Sequence, residues 1–120
     1  MPDLVNLYIG QRNELNYPEK FEKAIFLEAE PTRSPANIPK YYNVEVKVRS
    51  DPDKGSGKEY KIEIDSRTIN NWYNRFEEMI DSEIERDPER YDQYTETKER
   101  NAMIIEILSN KVPMYVNKNS

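Results

Sequence analysis

From Tyr42 to Arg49 apolar and polar residues alternate strictly, with Tyr42, Val44, Val46 and Val48 in one phase and Asn43, Glu45, Lys47 and Arg49 in the other. A period of two places successive side chains on opposite faces, so this pattern predicts a half-buried strand. Tyr60, Ile62 and Ile64 alternate in the same way with Glu59, Lys61, Glu63 and Asp65. Between the two runs lies Asp51-Pro52-Asp53-Lys54-Gly55-Ser56-Gly57, a turn composition that predicts an antiparallel hairpin. The period then changes to 3.6. Ile69, Trp72, Tyr73, Phe76, Met79, Ile80 and Ile84 fall on one helical stripe, with Asp65 or Ser66 as the N-cap, which predicts a helix from about Arg67 to Glu85. Asp87-Pro88-Glu89 reads as a fresh helix start. A second helix should run to about Ser109, with Tyr91, Tyr94, Ala102, Ile105 and Leu108 on its apolar face, joined late by Met103, Ile104 and Ile107, and the short connection predicts an antiparallel helical hairpin.

The ends of the chain are less regular. Val5, Leu7 and Ile9 alternate as a strand would, and Pro18 to Leu27 fits either a short helix or a segment ending in a buried strand over Ala24 to Ala29. Pro31 to Pro39 holds three prolines and predicts a loop. Val112 to Val116 predicts an edge strand, followed by a frayed tail of four residues. The pattern as a whole is α+β: a small antiparallel sheet packed on two long C-terminal helices. A chain of 120 residues is the length of one domain, divided here into an N-terminal part (1–40), a hairpin (41–65), two helices (66–110) and a tail (111–120).

Composition narrows the chemistry more than it defines it. There are no cysteines and no histidines, which removes disulfides, thiolate nucleophiles, imidazole metal ligands and the Ser-His-Asp triad. Nine tyrosines, three phenylalanines and one tryptophan supply buriable surface to a chain in which 34% of residues are charged. No stretch approaches the ~20 apolar residues that cross a bilayer, and Met1-Pro2-Asp3-Leu4 does not open a secretion signal, so the sequence predicts a cytoplasmic protein with no membrane attachment. The charge is unevenly placed. Glu77 to Glu99 contains ten acids and three bases, a net of −7 in a chain of −5, so the remainder carries +2.

Four motifs carry candidate chemistry, and each has a plainer reading. Asp51-Pro52-Asp53-Lys54-Gly55 has the opening spacing of a calcium loop, but Gly55, Ser56 and Ile62 stand where an EF-hand places a ligand, glycine and glutamate, so a hairpin turn is favoured. Gly55-Ser56-Gly57-Lys58 ends like a phosphate loop yet leads through Glu59 into a strand rather than a helix. Glu45-Val46-Lys47 has the E-x-K form of metal-dependent nucleases, for which Glu28 and Glu30 are the available partner acids; alternating Glu and Lys is equally what a solvated strand face carries. Ser66 to Phe76 has the order of a recognition helix, but a strand precedes it instead of the first helix of a helix-turn-helix.

By elimination, the sequence predicts a non-catalytic accessory, regulatory or inhibitory protein with no cofactor, no metal and no catalytic residue. Its expected partner is a protein with a basic surface, bound through Asp81, Glu85, Glu89, Asp92, Glu96 and Glu99. The alternative is nucleic-acid binding through the helix near Arg67, opposed by the acids that follow it; a carboxylate-dependent metal enzyme comes third.

Overall fold

The computed structural model describes residues 6–32, 43–53, 55–91 and 97–119. Five strands form one antiparallel sheet: β1 (Leu7–Ile9), β2 (Phe21–Pro31), β3 (Val44–Ser50), β4 (Glu59–Ile64) and β5 (Met114–Asn117), in the spatial order β1-β5-β2-β3-β4. Among the described residues four α-helices accompany it: α1 (Ser66–Arg75), α2 (Glu77–Arg86), α3 (Pro88–Tyr91) and α4 (Thr97–Lys111). The α+β class follows as the sequence predicts.

The hairpin forms in the expected register, with Val44 opposite Ile64, Val46 opposite Ile62 and Val48 opposite Tyr60. These six side chains are buried in the core, while Arg49, Glu59, Lys61 and Glu63 on the other face are exposed. Alternation in the sequence has thus become one dry and one wet face. Tyr42 lies outside the described residues, as do Val5, Tyr94 and most of Pro31 to Pro39.

Between Pro18 and Leu27 the strand reading wins. Only Pro18–Lys20 makes a single 3-10 turn, after which β2 continues for eleven residues. A register shift between Phe26 and Glu28 changes its phase. Before the shift Glu22, Ala24 and Phe26 alternate with exposed Lys23 and Ile25; after it the core contact passes to Ala29. The bulge adds one residue to the strand, which is why the sequence there shows an apolar run rather than a clean alternation.

β5 is an interior strand, not the edge strand its position in sequence suggests. It pairs with β1 through Leu7–Val116 and Ile9–Met114, and with β2 through Glu22–Val116 and Ala24–Met114. Nor does the chain fray directly after it: the Lys118 amide donates to the Lys20 carbonyl at 2.9 Å.

The predicted Arg67 to Glu85 helix is two helices that meet at Phe76, where φ is −117° and ψ 25°. No glycine or proline marks this break. Asn70, Asn71 and Asn74 make α1 a weak helix former, and tertiary anchors finish the bend: Arg75 is held by Glu14 and the Ile9 carbonyl, whereas Ile80 is fully buried. Asp65 caps α1, its carboxylate accepting from the Thr68 amide at 2.8 Å. The expected second long helix is described as α3 and α4. Asn101, Ala102, Met103, Ile104, Ile105, Ile107 and Leu108 are all buried, because α4 packs on β2 and β3 and is itself covered by α1 and α2. A helix apolar on every side requires such double cover.

Candidate functional site

The predicted acidic surface is only partly one surface. On α2 the carboxylates Glu77, Asp81 and Glu85 succeed each other at four-residue spacing, with exposed Glu78 beside them and exposed Glu89 on α3. Among the described residues none of these five pairs with a cation. Like charges at i and i+4 oppose helix formation by about 0.2 to 0.5 kcal/mol per pair. Asp81 is half-buried and has a structural partner, accepting from the Tyr73 hydroxyl at 2.8 Å and so tying α1 to α2 across the break. Glu99 is half-buried near the start of α4, and Asp92 and Glu96 lie outside the described residues. Glu83, from the same acidic run, is taken up by Arg86 and Lys111 at 3.0 and 3.2 Å.

The sheet does bring the E-x-K residues to both candidate partners. Lys47 sits opposite Glu28 and forms an ion pair with it at 2.8 Å, and Glu45 sits between Glu30 and Glu63. A lysine bound to a carboxylate is not free to orient a water, and among the described residues no group of three or more acids is arranged to hold a metal ion. In the hairpin loop the Asp51 carboxylate is occupied by the Asp53 amide at 3.0 Å, a local turn rather than a cation cradle. On α1, Arg67, Asn70, Asn71 and Asn74 are exposed. Arg75 is committed to Glu14, so a phosphate-contacting role for this helix would rest on Arg67 alone.

The sequence reading missed a well-organised buried polar cluster centred on Glu22. Glu22 is buried (8% exposed) on the helix side of β2, where its Oε1 accepts from the Tyr60 hydroxyl at 2.9 Å and the Ser56 hydroxyl at 3.3 Å. Its Oε2 receives the Ser56 amide at 3.4 Å. Burial pushes the carboxyl up, but the Tyr60 bond, the nearby Ser50 hydroxyl and the Ser56 donors outweigh it and hold the group below its ordinary value of 4.5. The Ser50 hydroxyl is fully buried and biases the carboxylate from close by without completing a hydrogen bond. Tyr60 is pushed the other way, by burial and by its bond to Glu22. This cluster fastens the β3–β4 loop to β2, assisted by the Asp51 amide on the Lys23 carbonyl at 2.9 Å. It also occupies the Ser56 donors of the phosphate-loop-like segment, facing them with a carboxylate. The signal was the phase of Glu22 with Ala24 and Phe26, readable once that segment is known to be a strand.

No protein-family model, curated protein or solved structure matches the chain. Function is therefore argued from these surfaces alone. Among the described residues no helix is long and apolar enough to cross a membrane.

Proposed function

We propose that this chain is a non-catalytic interaction protein that docks a basic surface of a protein partner through the outer side of α2 and α3. The observation that carries this reading is the succession Glu77, Asp81, Glu85, joined by Glu78 and Glu89 and matched by no cation among the described residues. That succession costs helix stability, and a cationic partner would remove the cost. Exposed Met79 adds an adaptable apolar contact amid the acids. An accessory, regulatory or inhibitory role in the cytoplasm fits a surface of this kind.

The test is a charge reversal that spares the fold. Asp81 is left intact because it bonds Tyr73, while Glu78, Glu85 and Glu89 are each replaced by lysine. The natural partner, captured from the native host and purified, is titrated against both proteins at two ionic strengths. Association with the variant should be slower and weaker, most so at low salt, because rim charges act by steering. Equal affinity of the two proteins at both ionic strengths would place the interface elsewhere.

A further inference from the structure

Where the β3–β4 loop crosses β2, a cleft of about 490 Å³ is lined by Arg12, Phe21, Glu22, Lys23, Tyr115 and Lys118, with Gly55 at its rim. Strand pairing assembles it. Lys23 lies directly opposite Tyr115 and Phe21 opposite Asn117, so Phe21, Lys23 and Tyr115 share the sheet face turned away from the core. The Arg12 guanidinium lies over the Tyr115 ring, 5.7 Å from its centre. Arg12 bonds the Pro18 carbonyl at 3.3 Å and Lys118 the Glu19 carbonyl at 3.2 Å, neutral acceptors in both cases. Among the described residues none of the three cations has a carboxylate partner. Lys47, Arg75, Arg86, Arg90 and Lys111 are ion-paired, whereas Lys20, Arg49, Lys58, Lys61, Arg67 and Arg100, like these three, form no ion pair among the described residues; what sets Arg12, Lys23 and Lys118 apart is that they line one cleft. Converging on one cleft, the three cations add their fields there, in a chain whose net charge is −5.

We propose that this cleft binds a nucleotide unit, at residues separate from the acidic face of α2 and α3. The phosphate and the base of a nucleotide each have a counterpart in the lining. Arg12, Lys23 and Lys118 supply the positive field for phosphate. The Arg12–Tyr115 stack and Phe21 are flat surfaces on which a base can lie, and stacking of this kind is worth about 1 to 3 kcal/mol per base. Glu22, buried on the core side of β2 at the margin of the cleft, sets a carboxylate beside it and so disfavours a bare anion such as phosphate as the whole ligand. The volume lies within the range of about 300 to 1,000 Å³ typical of small-ligand sites. The same chemistry is offered by a free mononucleotide and by an unpaired nucleotide of a single strand.

The experiment titrates the full chain with adenosine monophosphate, with a fluorescein-labelled ten-residue adenylate RNA, and with inorganic phosphate. Wild type is compared with Lys23→Ala/Lys118→Ala and with Arg12→Ala, all exposed positions whose replacement should leave Trp72 emission native. Saturable binding of the mononucleotide identifies a free nucleotide as ligand, and binding of the RNA alone identifies a single strand. In either case the double variant should bind about tenfold more weakly or worse, and for the RNA the slope of log affinity against log salt should fall by about 1 per lysine removed. Arg12→Ala should weaken binding without lowering affinity for phosphate to the same degree. The proposal is overturned if neither nucleotide probe binds at millimolar concentration, if phosphate competes as well as the nucleotide, or if the double variant binds like wild type.

Discussion

Replacing Tyr60 by phenylalanine removes one hydroxyl and keeps the ring, which makes it the cleanest probe of the Glu22 cluster. Tyr60 is 5% exposed and its 2.9 Å bond is the shortest that Glu22 receives. A hydrogen bond to a charged group contributes about 1.5 to 3 kcal/mol. The two Ser56 bonds, at 3.3 and 3.4 Å from an exposed residue, compensate little. A loss of about 2 kcal/mol at neutral pH is therefore expected. The pH dependence is a sharper test than the magnitude. Because the Glu22 carboxyl is depressed in the folded state, its contribution is full above 4.5 and is lost as pH falls through the folded value. Without Tyr60 that folded value rises, so the gap between wild type and variant should shrink in acid. Tyr60 itself is raised above 10.0, so its contribution is full below that value and is lost as pH rises through the folded value. Phenylalanine has no such limb, and the gap should narrow in alkali as well. Urea unfolding followed by the emission of Trp72, the one tryptophan, measures the gap at about pH 7, pH 4 and pH 10.5. A gap that stays constant across that range, or one below about 0.5 kcal/mol at neutral pH, would refute the account of the cluster.

Other perturbations follow from the packing. A Cβ on Gly55 would collide with Ser50 Oγ and stand 2.6 Å from Glu22 Oε2, so Gly55→Ala should destabilise by about 1 to 3 kcal/mol, and adding Ser50→Gly should recover part of that in the same unfolding assay. Ile80→Ala should cost about 2 to 5 kcal/mol by denaturant titration, because Ile80 is fully buried. Phe76→Ala should cost less than the ~3 to 5 kcal/mol of a fully buried phenylalanine, since Phe76 is half-buried with the Arg75 guanidinium on its ring. Millimolar calcium, magnesium or zinc should leave the melting temperature unchanged, whereas a site of micromolar affinity would add about 4 kcal/mol; a specific calcium shift would restore Asp51 and Asp53 as ligands.

What the sequence made legible was local. The alternation of Val44 to Val48 and Tyr60 to Ile64 and the Asp65 cap depend on neighbours within a turn or a strand and appear as expected; of the predicted stripe Ile69, Trp72 and Ile80 are buried, but Met79 is exposed because the break at Phe76 turns α2 out of phase with α1. Features set by distant contacts were not legible. The β2 bulge scrambled the phase that would have marked Glu22 as inward-facing. The break at Phe76 follows from what holds Arg75, a residue of β1's surroundings acting on a helix far along the chain. The run Ala102 to Ile105 has no stripe because it is covered on two sides. Arg12, Lys23 and Lys118 share a cleft only through the pairing of β2 with β5.

The placement of β5 between β1 and β2 also constrains how the protein is made. Neither N-terminal strand can complete its ladder until Met114 to Asn117 arrives, so Leu7 and Phe21 wait for partners synthesised nearly a whole chain later. On the ribosome the hairpin β3–β4 and the helices are free to form while the apolar sides of β1 and β2 stay open, and loop-closure entropy must be met before this late pairing rewards it. Such an exposed interval is when aggregation and chaperone capture compete with folding. Refolding of the intact chain should therefore be slow for its size, and interruption of synthesis before Met114 should leave a species that cannot hold its own N-terminus.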